Sequence, residues 1–195
     1  MKFKKGRSAE IAQQLLSEAQ INESKITEVL QNIAAQTETE LKGLKEKFKT
    51  EKSLIRKLTD ISEKYQIPLE KVARKINDTL RYTFILKAEN YGDKYAEILN
   101  LLELKDYKTM KKFNAWLSEG LPDDTGYRGI NLTVISSQKQ KFEIQFHTVE
   151  SFNLKTESHT LYAEFRNPQT SLKRKREITL KMLEKAAEMK RPRGI

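Results

Sequence analysis

The chain has 195 residues and a mass of 22.8 kDa, enough for one domain or one domain with a helical extension. Its 37 Lys and Arg against 27 Asp and Glu give a formal charge of +10, a field that draws nucleotides, RNA, DNA or acidic membrane surfaces without specifying a fold. With no cysteine, disulfides, thiolate zinc sites, iron–sulfur clusters and a cysteine nucleophile are excluded, and no apolar run approaches the roughly 18 to 20 residues of a membrane span.

Met1-Lys2-Phe3-Lys4-Lys5-Gly6-Arg7 is basic and lacks the apolar stretch of a secretory signal; with no cysteine either, a soluble chain in a reducing compartment or free of redox constraint is expected. Ile11, Leu15, Leu16, Ile26, Val29, Leu30, Ile33, Leu41, Leu44 and Phe48 recur at helical steps, and no proline precedes Pro68. Residues 8–64 therefore read as almost entirely helical, with a break possible at Asn22. Leu54, Ile55, Leu58 and Ile61 carry the period on until Pro68 pushes the residue before it out of the α region.

Arg81-Tyr82-Thr83-Phe84-Ile85-Leu86 is short and rich in β-formers and predicts a strand, followed by a helix over 95–104. Leu121-Pro122-Asp123-Asp124-Thr125-Gly126 is the clearest loop. Ile130, Leu132 and Val134 alternate before the polar link Ser136-Ser137-Gln138-Lys139-Gln140, and Phe142, Ile144 and Phe146 alternate after it, which predicts a hairpin. Residues 151–166 read as one helix with Leu154, Leu161 and Phe165 inward. Residues 173–195 hold nine Lys or Arg against three Glu; 178–189 can be helical, while Lys190-Arg191-Pro192-Arg193-Gly194 reads as frayed. The layout is helices, a small sheet, and helices again, ending in a basic tail over 173–195.

Three segments could carry chemistry. On the strand Phe142-Glu143-Ile144-Gln145-Phe146-His147, period two places Glu143, Gln145 and His147 on the face away from the three apolar residues. A carboxylate, an amide and an imidazole there can form an active-site floor; an exposed polar strand face is the ordinary alternative. In Gly126-Tyr127-Arg128-Gly129-Ile130-Asn131, an aromatic beside an arginine can stack a base and hold phosphate, or mark a turn with an amphipathic Tyr at the sheet margin. Lys49, Ser53 and Lys57 share a face if the segment is helical, which suits a polyphosphate or a solvated surface. Asp78, a loop or cap residue by default, is a plausible magnesium ligand if Glu143 lies close. Lys155, His159, Tyr162 and Arg166 share a helix face, and placing it beside Glu143 would make the site cationic around an acidic centre. The two histidines, His147 and His159, form no zinc-ligand pair.

Taken in order, these pieces resemble the synthetase domain of the RelA/SpoT family of nucleotide pyrophosphokinases over about residues 45–166. The resemblance rests on Lys47-x-Lys49-x-x-x-Ser53-x-x-x-Lys57, Asp78 opening a strand with Arg81, Gly126-Tyr127-Arg128-Gly129-Ile130-Asn131 and Phe142-Glu143-Ile144-Gln145-Phe146-His147-Thr148. Ile76-Asn77-Asp78-Thr79-Leu80-Arg81-Tyr82-Thr83 and Gln145-Phe146-His147-Thr148-Val149-Glu150-Ser151-Phe152 look like a divergent branch associated with toxin effectors and phage-encoded polypeptides. The likeness implies an α+β fold with a small mixed β-sheet flanked by helices, in three parts: a helical segment 1–45, a catalytic domain 46–172 and a basic tail 173–195. It also implies Mg2+ and ATP as pyrophosphate donor, and a ribose hydroxyl of a nucleotide or tRNA end as acceptor. It implies Asp78 and Glu143 as metal ligands, with Glu143 sharing the metal or activating the acceptor hydroxyl. Gln145 and His147 would stand beside them, Lys47, Lys49, Ser53, Lys57 and Arg81 would hold the donor, and Tyr127 would stack on the acceptor base near Arg128, Asn131 and His159.

The sequence departs from the family pattern in four places. Lys47 stands where the family usually has Arg, and Arg81 lies three rather than five residues after Asp78. Asn131 replaces a His, and His147 replaces an Arg. The resemblance further implies a cytoplasmic site of action, delivery as an effector, an immunity or antitoxin partner and no membrane partner. Two other readings stay open: a toxin of the same fold that cleaves or modifies RNA without ATP, with the two histidines as acid and base, and a non-enzymatic basic RNA- or partner-binding module.

Overall fold

In a computed structural model the structure describes residues 2–121 and 124–195. Pro122 and Asp123 of the predicted loop lie outside the described residues. The chain opens with one helix, α1 (Lys2–Gln36), unbroken at Asn22. Asn22 instead joins it to the predicted hairpin link, its side-chain amide donating to Gln140 Oε1 at 3.4 Å.

Helix α1 does not run on to residue 64. Glu38 adopts a left-handed φ of 52°, and the Thr39 and Glu38 N–H groups close back on the carbonyls of Ala34 and Ala35. This is a Schellman stop made without glycine, so no residue type announced it. Leu41 then falls in a strand, β1 (Glu40–Lys42), and Leu44 in a 3-10 turn. Phe48 forms an isolated bridge with Leu80. Helix α2 (Glu51–Tyr65) begins at the cap Thr50, which accepts from Ser53 N–H, and the short α3 (Leu69–Ala73) follows Pro68.

Five strands form the sheet: β1, β2 (Arg81–Ile85), β3 (Lys108–Asn114), β4 (Ile130–Ile135) and β5 (Lys141–His147). Their order is β1-β2-β5-β4-β3, with β2 and β5 parallel and the other neighbours antiparallel. The strand at 81 and the hairpin at 130–147 match the predicted elements, whereas β1 and β3 were not predicted. Strand β3 was hidden because Lys-Thr-Met-Lys-Lys-Phe-Asn is almost wholly exposed along a sheet edge and shows no apolar alternation. Helix α4 (Tyr91–Leu104) links β2 to β3.

The period-two pattern sorts the sheet into two faces. Tyr82, Phe84, Leu132, Phe142, Ile144 and Phe146 point into one core with Ile26, Leu30 and Ile33 of α1 and Tyr91, Tyr95 and Ile98 of α4. Each such large side chain contributes on the order of 1.5–3 kcal/mol when fully buried. Nearer the start of α1, Ile11 and Ala12 pack with Leu54, Leu58, Leu69, Val72 and Ile76 in a second cluster. Helix α1 is therefore a shared core element that holds α2 and the sheet in one frame.

The predicted helix over 151–166 is two helices, α5 (Val149–Glu157) and α6 (His159–Phe165), broken at Ser158. Leu154 is buried there, and Leu161 and Phe165 are half-buried. Helix α7 (Leu172–Ala187) buries Ile178, Met182 and Ala186. The end of the chain is docked, not frayed. Gly92 N–H donates to the Arg193 carbonyl, Arg193 N–H to the Ala88 carbonyl and Arg191 Nη2 to the Trp116 carbonyl. Among the described residues no helix is long and apolar enough to cross a membrane.

Candidate active site

The polar face of the sheet is the floor of a cleft of about 640 Å³, walled by the start of α2 and by α5 and α6. Strand register fixes what lies on it. Glu143 pairs with Arg81 on one side and Thr133 on the other, and one row along Gln145 sits between Thr83 and Asn131. Asp78 reaches the same floor because residues 47–49 run beside the start of β2: Lys49 N–H donates to the Thr79 carbonyl and Arg81 N–H to the Lys47 carbonyl.

This backbone pairing brings Lys49 Nζ to 2.7 Å from Asp78 Oδ2, and Lys57, two turns into α2, brings its Nζ to 2.9 Å from Oδ1. Lys49 precedes the helix instead of sharing its face, yet the two cations converge. Burial works to raise the Asp78 carboxyl, but the two ammonium groups outweigh it and hold Asp78 below the usual carboxylate range. Glu143 goes the other way. Burial and the nearby Asp78 charge push it up, while Arg81 and the Gln145 amide pull back. The two carboxylates on one floor are thus displaced in opposite directions, Asp78 down and Glu143 up.

A polar chain crosses that floor. Lys155 Nζ donates to Gln145 Oε1 at 2.5 Å, and Gln145 Nε2 donates to Glu143 Oε1 at 2.7 Å. Lys155 was read as part of the 151–166 helix face but not placed in the site. With His159, Tyr162 and Arg166 it lines the cleft, so the condition of that face lying beside the acidic centre is met. Phe113 and Arg56 also line the cleft and had no sequence signal, the first because β3 was not predicted, the second because one more arginine in a basic helix looks like a solvated face.

Tyr127, half-exposed, turns its ring to the cleft and buries its hydroxyl, which donates to Asn131 Oδ1 at 2.6 Å and lies 3.0 Å from His147 Nε2. Burial drives the hydroxyl's pKa well up. Because that hydroxyl hydrogen goes to Asn131, its oxygen accepts from His147 Nε2–H, leaving Nδ1 to accept from the Ser151 hydroxyl at 2.9 Å. Gly129 is required here, since a Cβ on it would stand 2.8 Å from His147 Cε1.

Three expected site residues do not line the cleft. His147 is 0% exposed behind Tyr127; burial and then the Lys155 charge push it down to about 3, so it is neutral and braces Tyr127 instead of titrating at the floor. Lys47 turns away and pairs with Glu23 of α1 at 2.8 Å. Lys57 stands behind Asp78. Arg128 borders the cleft but is committed to a buried bidentate pair with Asp124 at 2.8 and 3.0 Å, which ties down the loop bearing Tyr127. Asp78, Glu143, Gln145, Lys49, Ser53, Arg81, Tyr127, Asn131 and His159 all line one cleft.

No protein-family model and no curated protein matches the chain. Solved structures do. Small alarmone synthetase 2 from Bacillus subtilis superposes with a TM-score of 0.60 at 16% identity, covering 88% of each chain. Small alarmone synthetase 1 from Bacillus subtilis, bound to its product pppGpp, gives a TM-score of 0.54 at 15% identity over 90% of this chain and 85% of that one. The Type VI effector Tas1, in complex with its immunity protein, gives 0.54 at 19% identity over 90% and 94%. At these identities the likeness is one of architecture, and the chain is an α+β domain with the fold of the small alarmone synthetases.

Proposed function

We propose that the chain is a pyrophosphokinase that transfers the β,γ-pyrophosphoryl group of ATP to a ribose hydroxyl of a nucleotide, free or at an RNA end. The observation that carries this reading is the floor itself: Asp78 and Glu143 lie in one cleft between cations supplied by separate elements, Lys49 and Arg56 at α2 and Lys155 and Arg166 at α5 and α6. A site for two polyanionic substrates needs cations on more than one wall and a base between them.

Each group has a part in that chemistry. The acceptor O–H gives its proton to the Glu143 carboxylate, which lines the cleft with Asp78 and is held by Gln145. The acceptor oxygen bonds to the β-phosphorus, the bond from that phosphorus to the α–β bridging oxygen breaks, and AMP leaves with that oxygen. Lys49 and Ser53, at the start of α2 where N–H groups point outward, hold donor phosphates. Tyr127 offers its ring to the acceptor base, and Gln145 fixes Glu143 by its 2.7 Å bond.

Among the described residues no three His, Asp or Glu side chains cluster as a metal cage. Asp78 and Glu143 nevertheless suit magnesium, which takes one or two carboxylates together with substrate phosphates. They would hold it, and it would neutralise charge on the transferred phosphates.

The Type VI effector likeness supports a toxin held in check by an immunity protein, with nucleotides of a target cell's cytoplasm as substrate. The ATP-independent RNA-cleaving reading is disfavoured because it needs two titrating histidines and His147 is held neutral. The test is AMP release and acceptor labelling from Mg-ATP across free nucleotides and tRNA, with Glu143→Gln alongside. Transfer that drops at least a thousandfold in the variant supports the reading; no AMP release with any acceptor rejects it, and RNA cleavage without ATP would replace it.

A further inference from the structure

The end of α5 brings two side chains to the cleft, Lys155 in its last turn and the capping Ser158, to which the reaction above assigns no particular ligand group. Lys155 and Ser158 are three residues apart on a continuous helical turn, since Ser158 N–H donates to the Leu154 carbonyl, and they therefore share a face. Both line the cleft with Arg81 of β2. Lys155 commits one ammonium hydrogen to Gln145 and rests over the Phe152 ring at 5.5 Å. Burial first, and the Arg81 guanidinium second, push Lys155 down to about 8, with Glu143 only partly offsetting them.

Two like charges thus line the cleft within electrostatic reach of each other, both half-buried. Among the described residues Arg81 has no ion-pair partner, its Nε is buried without an acceptor, and the Ser158 hydroxyl is likewise buried without a partner. Unmade bonds of this kind are expensive, and more so for a charged donor. A guanidinium, an ammonium and a hydroxyl lining one cleft with donors to spare match the several acceptor oxygens of a tetrahedral oxyanion.

We propose that Arg81, Lys155 and Ser158 form a phosphate subsite, separate from Lys49 and Ser53 at α2 and resting on the reading of the cleft as a nucleotide site. Its ligand is a phosphate monoester or phosphoanhydride group. Since the start of α2 already serves the donor, the occupant expected here is a phosphate of the acceptor; the donor's transferred group has the same chemistry.

Calorimetry on the full chain without magnesium separates these sources. Inorganic pyrophosphate, guanosine and adenosine 5′-monophosphates, their nucleosides and a non-hydrolysable ATP analogue are titrated into wild type, Lys155→Met, Lys155→Arg and Ser158→Ala, with melting curves to show that each folds. Lys155→Met is expected to weaken the monophosphates at least tenfold and Ser158→Ala about threefold or more. Lys155→Arg should retain most of the affinity, and the nucleosides should bind no better to wild type than to the variants. If Lys155→Met does not fold, Ser158→Ala and Lys155→Arg carry the comparison. Losses confined to monophosphates assign the acceptor's phosphate, and losses confined to the ATP analogue assign the donor's; either upholds the subsite. Unchanged affinities in the variants, equal losses for nucleosides and monophosphates, or a wild type that binds no phosphate compound at millimolar concentration overturns it. Transfer assays in parallel keep the two ideas apart. Binding loss with no transfer by wild type retains the subsite and rejects the pyrophosphokinase, while transfer without binding loss does the reverse.

Discussion

Acid should loosen this protein through one histidine. His147 is 0% exposed and pushed down to about 3 by burial and by the Lys155 charge, against an ordinary value of 6.5 that it regains on unfolding. A group whose folded pKa is depressed binds fewer protons folded than unfolded. Its stabilisation is therefore complete above about pH 6.5 and is lost as pH falls towards 3. At about 1.4 kcal/mol per pH unit below 6.5, the loss between pH 7 and pH 5 is about 2 kcal/mol. Glu143, pushed up on folding, acts in the opposite sense, because its contribution is present at low pH and fades as pH rises through its folded pKa. The comparison that isolates His147 is therefore wild type against His147→Gln, which keeps an amide donor and acceptor near Tyr127 and Ser151. Urea unfolding at pH 7, 6 and 5 should show wild type losing about 2 kcal/mol more than the variant over that range. Parallel losses within about 0.5 kcal/mol would mean that His147 is hydrated or already charged in the folded protein, and the argument from its burial would fail.

Other substitutions separate stability from chemistry. Glu143→Gln removes a buried carboxylate, and it should melt about 1–3 °C above wild type by calorimetry while AMP release collapses. Asp78→Asn leaves Lys49 and Lys57 without their shared counter-ion, and should cost about 2 kcal/mol in chemical unfolding as well as donor binding by calorimetry. Arg128→Met breaks the buried pair with Asp124 and should cost about 3–5 kcal/mol, with faster proteolysis of the loop that carries Tyr127. Gly126→Ala places a Cβ against the Met182 carbonyl at a φ of +74°, so a melting temperature lowered by several degrees is expected.

Much of the site was legible because strand periodicity is local. Glu143 and Gln145 had to share a face whatever surrounded them, and the register with Arg81 and Asn131 completed the floor. The same alternation put His147 on that face but could not show that Tyr127 covers it, because covering depends on residues twenty positions away. Lys155 shows the converse. Its helical spacing to His159 was visible, while its 2.5 Å bond to Gln145 exists only because α5 folds back over β5. Lys47 and Lys49 differ by two positions in a basic run, yet one is drawn to Glu23 on α1 and the other to Asp78.

The sequence alone determined the β2 strand, the β4–β5 hairpin and the separation of apolar from polar faces, because each follows from side-chain alternation over a few residues. Alternation and spacing are properties of neighbours along the chain, and no distant contact can reverse them once the strand forms. What the tertiary structure decided was of another kind: where α1 stops, that an exposed basic segment becomes the edge strand β3, that the C-terminal residues dock beside α4, and which cations reach the floor. Those outcomes depend on long-range closure. The left-handed turn at Glu38, the pairing of residues 47–49 with the start of β2 and the packing of α7 on Gly126 each satisfy backbone groups or bury surface only when distant elements are already in place.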